Sequence, residues 1–131
     1  MQRKRKCYLA GPMRSKPEFN YPAFMEGAAA LRAKGWDVFN PAEMDIEEGD
    51  VTEDLLELSI EEQKCLAGTP ANARRFAWRD VKCLIKKLLA ERGDAIVLLP
   101  DWQESVGANA ERAVAIWVGL KVLTLEEALN E

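Results

Sequence analysis

A chain of 131 residues, 48% hydrophobic and 31% charged, has the size and balance of one globular domain with its own core. A net charge of -4 argues against the basic face of a general nucleic-acid binder, and no apolar run approaches the length of a membrane span. Three cysteines (Cys7, Cys65 and Cys83), none paired at CxxC spacing, argue against a disulfide scaffold or a zinc site and for a reduced, cytoplasmic setting.

The basic start, Met1 to Lys6, is followed by no apolar stretch, so it reads as a solvated lead-in and not as a signal peptide. Cys7 to Ala10 is a buried first strand ending at Gly11-Pro12. Asn20 is placed to cap the next helix, with Pro22 in its first turn and Phe24, Ala28, Leu31 and Arg32 at helical spacing. Gly35 stops that helix, and Trp36 to Phe39 is a second strand closed by Asn40-Pro41. Ala42 to Val51 reads as acidic and irregular. Thr52 caps a helix with Glu53 and Asp54 in its first turn, ending near Gly68.

From Pro70 a longer helix is predicted to run to about Arg92. Val81, Leu84, Ile85, Leu88 and Leu89 form its sheet-facing stripe, and Gly93 stops it. Ala95 to Leu99 is a third strand, buried on both faces. Asn109 to Val118 is helical with Gly119 as its stop, and Lys121 to Leu123 is a short fourth strand. Thr124-Leu125-Glu126-Glu127 opens a final helix with a capping box. This alternation predicts a three-layer α/β fold. Its sheet is flavodoxin- or Rossmann-like and parallel, with four to five strands in the order 2-1-3-4(-5) and helices on both faces. Residues 1–131 then make one domain with a helical insertion at about 44–78, a candidate lid or oligomer contact.

Such sheets bind small ligands at the C-terminal edge, between strands one and three. Two loops meet there. The first, Tyr8-Leu9-Ala10-Gly11-Pro12-Met13-Arg14, brings a tyrosine, a glycine turn and an arginine able to pair with a phosphate. The second, Ser105-Val106-Gly107-Ala108-Asn109-Ala110-Glu111, brings a hydroxyl, a glycine turn and a carboxylate near a helix start, where unpaired N–H groups favour anions. Each residue also has a plain structural explanation. Ser105 serves as an N-cap beside a turn glycine at Gly107, and Glu111 as a stabiliser of its helix start. Tyr8 is then a core tyrosine whose hydroxyl reaches water, Arg14 an exposed loop residue, and Asp80 a solvated residue paired with a lysine such as Lys87. Trp102 either stacks on a base or seals a helix against the sheet, and Asp94 caps or turns the chain. With no histidine in the chain, proton transfer falls to carboxylates, Tyr, Lys, Cys or water.

With these motifs the chain resembles the nucleoside 2-deoxyribosyltransferase family, which includes the deoxynucleoside 5′-monophosphate N-hydrolases. It is most similar to a phage- and prophage-associated subgroup. The resemblance rests on Tyr8-Leu9-Ala10-Gly11-Pro12 with Arg14 after it, on Arg79-Asp80-Val81, and on Ser105-x-Gly107 with Glu111 six residues after the serine. Phe19-Asn20, Phe24, Phe39-Asn40-Pro41 and Trp102 add to it. It covers most of the chain apart from the middle insertion and the ends. Two departures stand out: the loop after Gly11 lacks the second glycine of the hydrolase branch, and the segment from Asn40 to Asp80 is longer.

The resemblance implies cleavage or exchange of the N-glycosidic bond of a (deoxy)nucleoside or its 5′-monophosphate by retaining double displacement. Glu111 would be the nucleophile at C1′, Asp80 would assist the leaving base or position the nucleophile, and Tyr8 would orient Glu111. Gly11, Arg14, Ser105, Gly107 and Trp102 would line the substrate site, with Arg14 and Ser105 on a 5′-phosphate. It implies no metal or organic cofactor, a nucleoside or nucleotide as small-molecule partner, no nucleic acid or membrane, and a homo-oligomer. The alternative is a non-catalytic nucleotide-binding or sensing module on the same fold.

Overall fold

The computed structural model describes residues 4–13, 16–48, 57, 59–62 and 70–131. Four strands, β1 (Lys6–Ala10), β2 (Asp37–Phe39), β3 (Ala95–Leu98) and β4 (Lys121–Thr124), form a parallel sheet in the order β2-β1-β3-β4. This is the predicted order, with four strands among the described residues. In register, Tyr8 lies between Phe39 of β2 and Ile96 of β3.

The pleat sends alternate side chains of β1 into two separate cores. Cys7 and Leu9 join Ala95, Val97 and Leu123 under α1 (Tyr21–Ala33), α2 (Pro41–Glu47) and α5 (Leu125–Leu129). Tyr8 and Ala10 join Ile96 and Leu98 under α3 (Pro70–Lys86) and α4 (Val106–Trp117). The result is the predicted three-layer sandwich with helices on both faces. The capping box at Thr124 is realised, its hydroxyl and the Glu127 carboxylate each accepting from the other residue's N–H.

Several local readings are corrected. The segment after β2 is not irregular: Asn40 accepts from the Ala42 N–H, Pro41 takes the first helical position, Glu43 sits in the first turn, and α2 follows. Asn20 does not cap α1 with its side chain. It adopts a left-handed conformation and its amide donates to the Pro12 carbonyl. The second strand starts one residue later than read, at Asp37, and α4 starts three residues earlier, at Val106.

The helix from Pro70 ends at Lys86, and only a short 3-10 turn, Ala90–Arg92, follows. Its sheet-facing stripe is Asp80, Cys83 and Leu84, continued by Leu88, while Ile85 and Leu89 are exposed. The stripe is therefore rotated toward Asp80, which matters for the site. The expected helix at Thr52, with Glu53 and Asp54, lies outside the described residues, as do Arg14 and Cys65. Among the described residues no helix is long and apolar enough to cross a membrane.

Gly11 is required where it stands. A Cβ there would come within 2.9 Å of the Leu99 Cβ, because the chain leaving β1 presses directly on the end of β3. Gly107 has no such constraint. It lies inside α4, and a Cβ there would have only the Ser105 Oγ, 3.8 Å away, within contact.

Asp94, read as a residue that caps or turns the chain, ties the entrance to β3. Its buried carboxylate accepts from the backbone N–H of Lys6 and of Leu89, each at 2.8 Å, and from the Arg92 guanidinium. Burial alone would raise its pKa, but Arg92 and the two N–H groups hold it below the usual carboxylate range. Asp94→Ala is expected to cost about 3 kcal/mol, because it leaves two buried N–H groups without a charged acceptor. The depressed folded-state pKa fixes the sign of the pH dependence. Asp94 stabilises fully above its unfolded pKa, so the melting gap between wild type and variant is full at neutral pH and closes as pH falls through the folded value. Thermal melts from pH 7 downward measure it.

Candidate active site

Two carboxylates occupy positions where the helix pattern calls for apolar side chains. On α4, Ala108, Glu111 and Ala115 share the sheet-facing stripe, and both alanines are buried. On α3, Asp80 shares the stripe of Cys83 and Leu84. The two helices pack side by side over β1 and β3. Their stripes therefore deliver both carboxyls to the same place, above the fully buried ring of Tyr8.

There the three groups meet. The Tyr8 hydroxyl donates to Glu111 Oε2. Asp80 lies close enough for its charge to act on both Tyr8 and Glu111. The Arg79 Nε donates to Asp80 Oδ1 at 2.9 Å. Arg79, and not Lys87, is thus the cation paired with Asp80. Tyr8 does not send its hydroxyl to water; it is a buried donor to a carboxylate.

Electrostatics separate the members of this cluster. Burial, then the charge of Asp80, pushes the Glu111 carboxyl well above the usual range, against the opposing Tyr8 donor and Arg79. Burial leaves Asp80 raised as well, although the Arg79 charge and hydrogen bond oppose the shift. Of the two carboxyls, Glu111 is therefore the one whose environment more strongly favours the protonated form. Burial and the neighbouring carboxylates raise the Tyr8 phenol well above its ordinary value, so it stays a hydroxyl donor.

The cluster extends through residues that the sequence reading left out. Arg79 also donates to Asp45 Oδ1 at 2.5 Å and reaches Glu48 at 3.3 Å. Asp45, buried on α2, accepts from the Tyr21 hydroxyl at 2.6 Å. Asn40-Pro41 followed by Glu43 has the form of a helix start, so α2 itself was legible, but nothing local marks Asp45 as the partner of Arg79.

The second loop is built as a helix cap. Ser105 is the N-cap of α4, and its Oγ accepts from the Ala108 N–H at 3.0 Å. Asn109 donates to the carbonyls of Ser105 and Gln103, which pins the turn. Ser105→Ala is expected to destabilise by about 1 kcal/mol, and Ser105→Asp to restore the cap. Comparing melting temperatures of the three proteins checks this. Trp102 lies in a 3-10 turn (Trp102–Glu104), packed on the α3/α4 core with the Arg112 guanidinium 5.3 Å from its ring centre.

Two clefts open on this side of the molecule, and neither is lined by Tyr8, Asp80 or Glu111. One, of about 390 Å³, is lined by Phe39, Met44, Trp78, Lys82 and Cys83, and it reaches the carboxylates through Arg79. The other, of about 260 Å³, runs along the ends of β3 and β4 and includes Trp102, Thr124 and Leu125. Gly11 lies at the end of β1 between them as a packing glycine. Among the described residues no group of three or more Cys, Asp or Glu side chains could hold a metal ion. Of the residues singled out from the sequence, Tyr8, Asp80 and Glu111 form one contact cluster. Ser105, Gly107 and Trp102 lie along the start of the same helix.

A family model described as a domain of unknown function (DUF4406) matches residues 5–68 and 67–124. No curated protein and no solved structure matches the chain. The matched segments carry every strand of the sheet together with Tyr8, Asp80 and Glu111, and the chain belongs to the DUF4406 family.

Proposed function

We propose that this protein cleaves or exchanges the N-glycosidic bond of a nucleoside or nucleoside 5′-monophosphate, with Glu111 as nucleophile. The observation that carries the reading is the cluster of Tyr8, Asp80 and Glu111: two partly buried carboxyls beside a tyrosine donor, which in the proposed mechanism share one proton. Such a pair costs the fold stability, and it offers a nucleophile and an acid in adjacent positions. Glu111 is held by the Tyr8 hydroxyl and faces Asp80, an arrangement that suits attack by Glu111 with Asp80 beside it.

The steps balance around the shared proton. As the bond from C1′ to the base breaks, the proton passes from Glu111 through Asp80 to the departing nitrogen. Glu111 gains the negative charge it needs and bonds to C1′. Water, or a second base, then attacks C1′ from the face the first base left. Glu111 departs as a carboxylate, and the incoming group's proton returns to the pair. Tyr8 holds the Glu111 oxygen throughout. No step calls for a metal or organic cofactor.

The one-domain organisation, with 44–78 as its insertion, belongs to the same proposal, as does a homo-oligomer. The exposed Trp78 and Trp117 on the outer sides of α3 and α4 support a contact there. The test is incubation with a panel of nucleosides and 5′-monophosphates, reading free base by chromatography and a sugar adduct on Glu111 by mass spectrometry. Free base with an adduct is expected. A nucleotide that raises the melting temperature yet stays intact would establish the binding-module reading instead.

A further inference from the structure

The groups that face Asp80 come from three elements. Tyr8 comes from β1, Glu111 from α4 and Arg79 from α3 itself, with Cys83 one turn away. Behind Arg79 stand Asp45 of α2, Glu48 just past it, and Tyr21 at the start of α1. The Arg79 side chain is 14% exposed and that of Asp45 only 7%, so this is a largely buried clamp and not a surface ion pair. Arg79 uses different nitrogens on the two carboxylates, Nε on Asp80 and a terminal nitrogen on Asp45, a span that a single ammonium cannot reproduce. Phe76, one turn back on α3, places its ring 5.4 Å from the same guanidinium.

The placement of the two tyrosines sharpens the point. The chain has two, and one line of interactions joins them: Tyr8, Glu111, Asp80, Arg79, Asp45, Tyr21, hydrogen-bonded at each step except from Glu111 to Asp80, where the link is electrostatic. Tyr8 belongs to the core under α3 and α4, and Tyr21 to the core under α1. The contacts therefore pass from one helical layer to the other. A requirement of packing alone would be met within each layer by apolar side chains.

We propose that Tyr21, Asp45 and Arg79 form a positioning relay that fixes the Asp80 carboxylate against Glu111 and Tyr8. The proposal rests on the glycosidic-bond reading for its activity readout. Tyr21 anchors Asp45, Asp45 fixes the guanidinium, and the guanidinium fixes one oxygen of Asp80, so Asp80 is aimed at Glu111 with its ionised form favoured by the adjacent cation. None of the three relay residues touches substrate in this arrangement; they act through Asp80.

The test compares Arg79→Gln, Asp45→Asn, Tyr21→Phe and the Arg79→Gln/Asp45→Asn double variant, with two readouts. Side-chain carboxyl carbon NMR follows the ionisation of the Asp80–Glu111 pair without substrate, and steady-state kinetics separate kcat from KM. Arg79→Gln is expected to move the first ionisation of the pair up by about one pH unit, because the cation that favours ionised Asp80 is gone. The acid limb of the kcat profile moves with it. kcat falls by about tenfold or more, with KM within about twofold.

Asp45→Asn keeps the cation, so it lowers kcat without raising that ionisation, and Tyr21→Phe does the same more weakly. The double variant is no worse than Arg79→Gln alone, because Asp45 acts through Arg79. An unmoved ionisation in Arg79→Gln, or losses that multiply in the double variant, would overturn the relay. If Arg79→Gln does not fold, Asp45→Asn and Tyr21→Phe decide: equal kcat to wild type in both rejects it. If no substrate releases base, or Glu111→Gln still does so, the glycosidic reading fails, and the NMR titration still decides the relay.

Discussion

Glu111→Gln is expected to lower kcat/KM for base release by about three orders of magnitude or more, and to melt at a higher temperature than wild type at neutral pH. The first effect follows from chemistry. An amide cannot form the covalent bond to C1′, so the loss strikes every substrate, including an aryl deoxyriboside whose leaving group departs without a proton.

The second effect follows from where the carboxyl sits. Glu111 lies between Ala108 and Ala115 on a buried stripe, facing Asp80, with its pKa raised by burial and by that neighbour. A raised folded-state pKa contributes stability that is present below the unfolded value and lost as pH rises through the folded one. Wild type therefore loses stability across that window and the amide does not. The gap is expected to be about 5 °C at neutral pH and to vanish near pH 4. A variant that keeps its activity removes Glu111 from the mechanism. A variant that melts lower at every pH shows that the carboxylate is instead a structural anchor.

That opposition of stability and chemistry also explains what the sequence disclosed. The strands and their order were legible because Cys7 to Ala10 and Ala95 to Leu99 are continuous apolar runs bounded by glycine or proline. The cap at Ser105 and the capping box at Thr124 were legible because their chemistry is local. The α3 stripe was misread for an instructive reason. Counting only apolar residues placed Ile85 and Leu89 inside, whereas the inner face includes Asp80 and Cys83. A polar residue at a core position breaks the pattern on which face assignment depends, and functional residues are of this kind.

The same blindness hid Asp45 and Tyr21. Their partners lie 34 and 24 residues away in sequence, so no local spacing shows them. Glu111 was found from its distance to Ser105, not from its burial. Yet the pattern Ala108-x-x-Glu111-x-x-x-Ala115 was sufficient to place it on the inner face of α4.

Asp80→Asn is expected to separate the two carboxylates by their roles. In the proposed reaction Asp80 passes the shared proton to the departing base. Asparagine cannot, so kcat for an ordinary nucleoside should fall by about 10²–10⁴, the range that general acid catalysis supplies. An aryl deoxyriboside that leaves as an anion needs no such proton, and its kcat should fall by less than about tenfold.

The pH profile should change in a matching way. Removing the Asp80 charge takes away two of the influences that raise the Glu111 pKa, while the Tyr8 donor and Arg79, which lower it, remain. Glu111 then ionises at lower pH than in wild type. With wild type, activity needs one proton on the pair and the profile is bell-shaped. With the variant and the aryl substrate, activity needs only ionised Glu111, so a single limb rises with pH and then stays level. Equal losses on both substrates would assign Asp80 to positioning Glu111 instead of protonating the base. Asparagine is close to isosteric with aspartate, and its amide can still donate to Glu111, so the shape of the site survives the substitution. Only the proton and the charge are removed, and those are the two quantities the substrate pair and the pH profile read separately.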